Sequence, residues 1–386
     1  MSNYPLASNT WDWQELKAIK SVIKGDTYSM NKNVFKFEKN FKKFIRRKYC
    51  LMVSSGSAAN LISIASFFYT KKPMLKKGDE IIVPAVSWST TYFPLQQFGL
   101  KLKFVDINLN TLNYNLDDLK SAITKNTKMI VAVNLLGNPN EFNIINKLIK
   151  NKNIFIFEDN CESLGAEYNR KYTGTFGTIG TFSTYFSHHI STMEGGLVTT
   201  DNKELYHIML SLRAHGWTRN LPKKNFVSNK SKDWFKESFR FVLPGYNVRP
   251  LEMSGAIGTK QLIKLPKFLK QRRKNAELFI NLFKDHPNYL IQKTIGKSSW
   301  FGFSLIIRPN SKIKRDNLVK ILDKNKIECR PIVTGNFVRN EVMKYFDYKV
   351  HKKLKNADHL HYNGFMVGNS QNSLVKNLNL LKKILP

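Results

Sequence analysis

The chain is predicted to be an α/β protein: a large, mostly parallel sheet covered by helices, followed by a smaller C-terminal α+β domain. Short apolar, β-rich runs alternate with helix-like patterns through the first half, which is the arrangement of a parallel sheet with covered faces. Strand signals thin out after the turn-rich Leu243-Pro-Gly-Tyr-Asn-Val-Arg-Pro250. A length of 386 residues also suffices for a substantial core and for two or three domains.

An N-terminal arm and helix are expected over residues 1–30, a large α/β domain over 31–255 and a small domain over 256–386. Strands are expected at Tyr49–Val53, Glu80–Pro84, Leu102–Val105, Met129–Val133 and Asn153–Phe157, each a compact run of apolar residues. Leu116–Ile123 and Phe142–Ile149 space their apolar residues at helical intervals. Gly180–Phe186 and Gly196–Thr200 read as a further pair of strands. A helix is expected from Met253 to about Leu282, then strands at Trp300–Arg308 and Glu328–Val333.

Composition removes several function classes. The apolar fraction of 42% is that of a soluble globular protein. Runs such as Leu61–Tyr69 are too short and interrupted to span a bilayer, so no membrane association is expected. Met1-Ser2-Asn3-Tyr4-Pro5 lacks the charged start and apolar stretch of a secretory leader, so the expected location is cytoplasmic. Cys50, Cys161 and Cys329 stand far apart and form no redox or metal-ligand pair, so no metal is expected, and three scattered thiols cannot build a four-cysteine cluster. The formal net charge of +34 raises the question of a nucleic-acid partner. The lysines are spread through every segment, however, with no block or tail, so no nucleic acid is expected; a positive field also favours anionic small molecules.

Several segments carry chemistry. Ser54-Ser55-Gly56-Ser57-Ala58-Ala59-Asn60 follows a predicted strand and opens a helix. Small residues there let backbone N–H groups and hydroxyls meet a phosphate, although alone such a turn reads more readily as an ordinary N-cap. Phe157-Glu158-Asp159-Asn160-Cys161-Glu162 puts carboxylates just after a strand, where α/β sheets make ligand contacts; alone, Asp159 also fits an N-cap. Trp88 is either a stacking platform or a core tryptophan. The stretch Phe186-Ser-His-His-Ile-Ser-Thr-Met-Glu-Gly-Gly196 presents His188, an imidazole able to move protons near neutral pH.

That stretch resembles the cofactor-lysine segment of the pyridoxal phosphate-dependent sugar aminotransferases (the DegT/DnrJ/StrS family, fold type I, aspartate aminotransferase-like). There a lysine stands six residues before the Glu-Gly-Gly; here the position holds His188, and no lysine lies between Lys171 and Lys203. An imidazole forms no Schiff base, so the resemblance implies pyridoxal or pyridoxamine phosphate bound without a covalent link. It further implies phosphate contacts from Gly56, Ser57 and Ser183, stacking from Trp88, and Asp159 paired with the pyridinium nitrogen. Glu162 is implied beside the ring. Gly245-Tyr-Asn-Val-Arg249 resembles a family segment in which Asn247 reaches the phosphate of a neighbouring subunit, implying a homodimer with shared sites. Arg249 is then a candidate for an amino-acid carboxylate.

A histidine in place of the lysine marks the sugar 3-dehydratases of this family, and the cysteine count excludes their iron–sulfur branch. Leu212–Asn220 and Glu328–Phe337 resemble the cluster-free branch, which implies GDP-4-keto-6-deoxymannose as substrate, L-glutamate as amine donor and a dideoxysugar such as colitose downstream. The same resemblance implies that Arg219, Glu328 and the turn Gly25-Asp26-Thr27-Tyr28 contact the nucleotide sugar, with His215 near the glutamate or sugar. His188 is implied as the catalytic proton carrier. A 4-amino-sugar aminotransferase, or a non-catalytic nucleotide-binding descendant, remains the alternative reading at this stage.

Overall fold

The computed structural model describes residues 2–386. Compact apolar runs form the strands of the large sheet: β1 (Tyr49–Val53), β2 (Glu80–Pro84), β3 (Lys101–Val105), β4 (Thr127–Val133) and β5 (Phe155–Asp159). A short hairpin, β6 (Glu167–Tyr168) and β7 (Lys171–Tyr172), precedes β8 (Ile179–Ser183) and β9 (Gly196–Thr200). The small domain contributes β10 (Tyr289–Ile291), β11 (Gly302–Ile307), β12 (Cys329–Arg330), β13 (Tyr348–Val350) and β14 (Gly364–Gly368).

The eight-stranded sheet has the order β1-β9-β8-β5-β4-β2-β3-β13. Its strands run parallel except β9, which is antiparallel to both β8 and β1. Strands β2 and β8 are buried at every position, as a sheet covered on both faces requires. The covering helices include α1 (Trp13–Lys24), α2 (Lys32–Ile45), α3 (Gly56–Phe68), α4 (Ser89–Gln97), α5 (Leu116–Ala122), α6 (Phe142–Ile149), α7 (Lys203–Leu212) and α8 (Trp234–Ser238). The sequence of α3 is apolar nearly all round, and accordingly it lies in the interior of the large domain. The long α9 (Glu252–Phe283) runs without a break past residue 256. A four-stranded sheet, β10-β11-β14-β12, then packs its own core with the end of α9, α10 (Arg315–Lys324) and α12 (Val375–Ile384), while α11 (Lys355–Asn363) turns Ala357 and Leu360 into the main core. Strand β13 leaves that unit and joins the large sheet beside β3.

Three strands differ from the sequence-based expectation for identifiable reasons. The expected strand 153–157 is found at Phe155–Asp159, because Glu158, fully buried in mid-sheet, receives backbone N–H groups from Gly174 (2.7 Å), Phe176 (2.6 Å) and Gly177 (2.6 Å). Those three donors let a carboxylate occupy a strand position that its polarity argues against. The expected strand 180–186 stops at Ser183, where Thr184 turns to meet Thr192 (Oγ1–Oγ1 2.6 Å) and a loop begins. The strand at 328–333 shrinks to Cys329–Arg330, since Pro331 has no N–H to donate.

Helix α2 begins at an Asn31 that makes no side-chain cap. The buried Glu252 carboxylate supplies it instead, accepting from the N–H groups of Asn31 (2.7 Å) and Asn33 (2.6 Å). Replacing Glu252 with Ala removes the acceptor of those two donors and of the buried Val34 N–H (3.3 Å). The expected loss is about 2–3 kcal/mol of unfolding free energy, read as a lower denaturant midpoint with an unchanged slope.

Candidate active site

The carboxyl ends of the parallel strands open onto a cavity of about 310 Å³. Loops after β1, β2, β4, β5 and β8 line it, and the small domain closes it with Phe301, Arg330 and Val333. The lining groups of the large domain therefore sit where an α/β sheet leaves its strand ends unoccupied by packing.

At the floor, β1 turns into α3. Ser55 caps the helix by accepting from Ala58 N–H (3.0 Å), and the N–H groups of Gly56 and Ser57 in the first turn have no acceptor among the described residues. A Cβ on Gly56 would lie 2.8 Å from Ser183 Cβ and 2.9 Å from Cys161 Sγ, so a side chain does not fit without displacement. The same close approach brings the Ser183 hydroxyl, at the end of β8, against the helix N-terminus. Gly56, Ser57 and Ser183 thus form a cradle suited to a phosphate.

Beside it, Asp159 ends β5 and is 5% exposed. One carboxylate oxygen accepts from Asn60 Nδ2 (2.9 Å) and the Thr91 hydroxyl (2.7 Å), the other from Cys161 N–H (3.1 Å). Three donors fix the orientation of the carboxylate, the kind of partner that a protonated pyridine nitrogen requires. Asn60 is itself locked, accepting from the Thr181 hydroxyl at 2.7 Å. Trp88, at the entry to α4, lines the cavity and is 57% exposed in the single chain, available to stack on a ring. Glu162 donates nothing; its Oε2 accepts Leu136 N–H at 3.0 Å, and burial raises its pKa against the pull of that bond and of Arg330.

His188 stands on the loop between β8 and β9. Its Nδ1 lies 2.6 Å from the Cys161 carbonyl, an oxygen that can only accept. Nδ1 therefore carries the proton, and Nε2 is left as a lone pair at a cavity-lining ring. The ring is half-buried against Phe301, with centroids 5.0 Å apart. Burial, reinforced by Arg330 and Arg272, lowers its pKa to about 4, opposed by the Cys161 carbonyl and Asp159. A phosphate held in the cradle beside it would push the value back up.

The structure brings Gly56, Ser57, Trp88, Asp159, Glu162, Ser183 and His188 to one cavity. It does not bring the remaining expected residues there. Asn247, Arg249, His215 and Arg219 form a separate cluster: Arg249 Nε donates to Asn247 Oδ1 (3.1 Å), and Arg249 Nη2 lies 3.4 Å from His215 Nε2. Arg219 and Arg249 share the Trp217 ring, at 4.3 and 5.5 Å from its centroid. Gly25, Asp26, Thr27 and Tyr28 form the turn after α1, where Tyr28 is exposed and its carbonyl accepts Glu252 N–H at 2.9 Å. Glu328 is also outside the cavity: its Oε2 accepts Leu6 N–H at 2.9 Å and so holds the N-terminal arm.

Sequence reasoning missed Arg330, two residues from Glu328, whose guanidinium lies 5.8 Å over the Phe301 ring and lines the cavity. Strand alternation gave no signal to separate the two, because residues two apart on a strand face the same way. Asn60 and Thr91 were missed as well, being distant in sequence from the Asp159 they hold.

The chain matches the model of the DegT/DnrJ/EryC1/StrS aminotransferase family over residues 9–372. It is similar to a GDP-4-keto-6-deoxy-D-mannose 3-dehydratase of Escherichia coli O55:H7, with 60% identity over 387 residues and 100% of each chain covered. The solved structure of an E. coli GDP-4-keto-6-deoxy-D-mannose-3-dehydratase with bound hydrated PLP superposes with a TM-score of 0.99 at 60% identity, covering 100% of both chains. A GDP-4-keto-6-deoxymannose-3-dehydratase holding a trapped PLP-glutamate geminal diamine gives the same TM-score of 0.99, 60% identity and 100% coverage of both chains.

Two outcomes follow from the geometry. In the protein alone, the His188 ring should take up its proton near pH 4 rather than near its ordinary 6.5, as read by histidine NMR. Because the folded value is the lower one, this residue's contribution to stability is full above pH 6.5 and is lost as pH falls toward 4. Asn60→Ala should cost about 1–3 kcal/mol in thermal or denaturant unfolding, since it removes a donor from buried Asp159 and the nearer of the two acceptors of the Thr181 hydroxyl.

Proposed function

The chain belongs to the DegT/DnrJ/EryC1/StrS aminotransferase family, and from that premise we propose a sugar deoxygenase rather than an aminotransferase. It removes the C3 hydroxyl of GDP-4-keto-6-deoxy-D-mannose to give GDP-4-keto-3,6-dideoxy-D-mannose, with L-glutamate as the amine and electron source. Glutamate leaves as 2-oxoglutarate and ammonia, so the two electrons that replace the C–O bond by a C–H bond are accounted for. The observation that carries this reading is His188: an imidazole where the family holds its cofactor by a lysine, with Nε2 free at the cavity.

When bound, pyridoxamine phosphate supplies an amine that condenses with the C4 ketone and a ring that takes up the electron pair released at its own carbon. The cradle of Gly56, Ser57 and Ser183 would hold the phosphate. Asp159, fixed in place by Asn60, Thr91 and Cys161, would pair with the protonated ring nitrogen. Trp88 would cover a ring face.

His188 accepts the proton at Nε2, because Nδ1 is already committed to the Cys161 carbonyl. The imidazolium keeps that bond, so gaining the proton does not displace the ring. A pKa of about 4 in the protein alone makes it a weak base and a strong acid. Phosphate and diphosphate charge move it toward the working pH, and the same proton can then meet the departing C3 hydroxyl. Arg330 offers a guanidinium fork at the cavity for a glutamate carboxylate.

The proposal includes a homodimer. Asn247, His215, Arg219 and Arg249 sit together on a surface whose Trp234, Phe235 and Phe239 are 79%, 72% and 68% exposed, a patch that calls for a covering partner. From there they would serve a second copy's cavity, with Asn247 on its phosphate and Arg219 on its nucleotide. Among the described residues no helix is long and apolar enough to cross a membrane. A cytoplasmic location belongs to this proposal.

The test is incubation with GDP-4-keto-6-deoxymannose, pyridoxal phosphate and L-glutamate, with the product read by mass. Loss of one oxygen with release of ammonia is expected; a 4-amino sugar would instead establish transamination. His188→Lys should lower the deoxygenation rate by about 10²–10⁴-fold, the usual range for losing a positioned proton carrier. An unchanged rate removes His188 from the mechanism.

A further inference from the structure

The loop that carries His188 has no regular secondary structure between β8 and β9, yet the imidazole needs a fixed position. Its base is closed internally: Thr184 N–H donates to the Gly195 carbonyl (2.9 Å) and Thr192 N–H to the Thr184 carbonyl (2.8 Å). Its middle is held from outside. Three residues beyond His188, the buried Ser191 donates its N–H to Gln261 Oε1 (3.1 Å), and its carbonyl accepts from Trp11 Nε1 (3.1 Å).

Gln261 lies on α9 and is fully buried. Its Oε1 also accepts the Thr10 hydroxyl (2.8 Å), while its Nε2 donates to the Thr10 carbonyl (3.1 Å) and to Glu15 Oε1 (2.8 Å). Two lone pairs and two N–H groups are thus all engaged, so the amide cannot rotate without stranding several partners. Glu15, also fully buried, accepts Asp12 N–H (2.8 Å) and Lys264 Nζ (2.7 Å) through its other oxygen. The network runs from α1 and α9 through the N-terminal arm to the peptide groups of Ser191.

We infer that Trp11 and Gln261 are positioning residues for His188, and that the N-terminal arm is thereby part of the proton-transfer apparatus. The inference rests on His188 as the proton carrier. The bond from Nδ1 to the Cys161 carbonyl fixes one point of the ring. His188 N–H to the Tyr185 carbonyl (2.9 Å) and the buried His189, whose Nε2 lies 3.1 Å from the Ser299 carbonyl, hold the chain next to the ring; Ser191, tied on both its N–H and its C=O, fixes the backbone beyond them. Misplacement of a reacting group by about 1 Å is enough to cost on the order of a hundredfold in rate.

The variants that separate positioning from folding are Trp11→Phe, which removes the indole N–H together with part of the ring of a half-buried side chain, and Gln261→Met, which keeps the volume. Gln261→Glu is the conservative partner: protonated beside Glu15, it keeps the acceptor for Ser191 and one donor. With the loaded enzyme, kcat and KM are measured with GDP-4-keto-6-deoxymannose and glutamate. In parallel, ring-¹⁵N-labelled histidine reports the His188 tautomer by NMR, and Tm reports folding. The expected result is a single Nδ1–H tautomer in the unaltered protein and a mixed tautomer in Trp11→Phe and Gln261→Met. With it goes a kcat lower by about tenfold or more, KM within about twofold, and recovery of both signals in Gln261→Glu. Retention of the single tautomer and of kcat in both deletions overturns the inference, as does a fall in Tm and kcat with no change of tautomer. An unaltered protein that fails to deoxygenate the sugar, while the deletions still mix the tautomer, refutes the proposed function and leaves the positioning network standing.

Discussion

One hydrogen bond, from His188 Nδ1 to the Cys161 carbonyl, is the constraint on which the site depends. A carbonyl oxygen cannot donate, so the bond decides which imidazole nitrogen holds a proton and leaves the other as the acceptor. The carbonyl is available because the turn after β5 is fixed: Asp159 accepts Cys161 N–H, and Asn60 and Thr91 fix Asp159. The Asp159 carboxylate and the His188 ring are therefore coupled through the backbone of a single residue. A shift of that turn would move both together, which preserves their spacing better than two independent anchors would.

The electrostatics of the cavity follow from burial more than from the overall charge. The net charge of +34 is spread along the chain, whereas Glu158, deep in the sheet, is held by three backbone N–H groups, with the Arg47 charge nearby and no direct ion pair. Burial raises the Cys161 thiol well above its ordinary pKa, so this cavity-lining sulfur is a poor nucleophile and acts as packing under Gly56. At His188 the same physics favours the neutral ring. Anionic ligands are the natural counterweight, and a site that binds a phosphate ester and a diphosphate sugar provides them.

The small domain does more than cover the site. The strand leading into β11 is stitched to the loop after β4 by Ser299 N–H to the Gly137 carbonyl (3.0 Å) and Phe301 N–H to the Leu136 carbonyl (2.9 Å). Those bonds set Phe301 against His188 and beneath Arg330. Val333 lines the same wall with φ of 52°, a left-handed conformation that a β-branched residue adopts only under compulsion from its surroundings. Strain of this kind concentrates where a side chain must be aimed rather than packed.

Much of this was legible in the sequence. Apolar runs and their alternation with helical patterns determine the α/β class, because periodicity is a local property set by which faces must be buried. The motifs around Gly56, Asp159, Ser183 and His188 are also local, and they located the cavity wall residue by residue. The identity of position 188 alone determines that the cofactor is not tethered there, since only an amine can form that link. What tertiary structure decided is which distant groups complete each local one. Glu158 becomes a strand residue only once Gly174, Phe176 and Gly177 donate to it. Arg330 rather than Glu328 lines the cavity because Leu6 N–H holds the Glu328 carboxylate at the N-terminal arm and Phe301 takes the guanidinium. Trp11 and Gln261 meet at Ser191 although they lie 180 and 70 residues from it. Such bonds have no sequence periodicity to reveal them: their partners are chosen by the packing of helices and sheet, and a hydrogen bond forms only where folding brings donor and acceptor within reach.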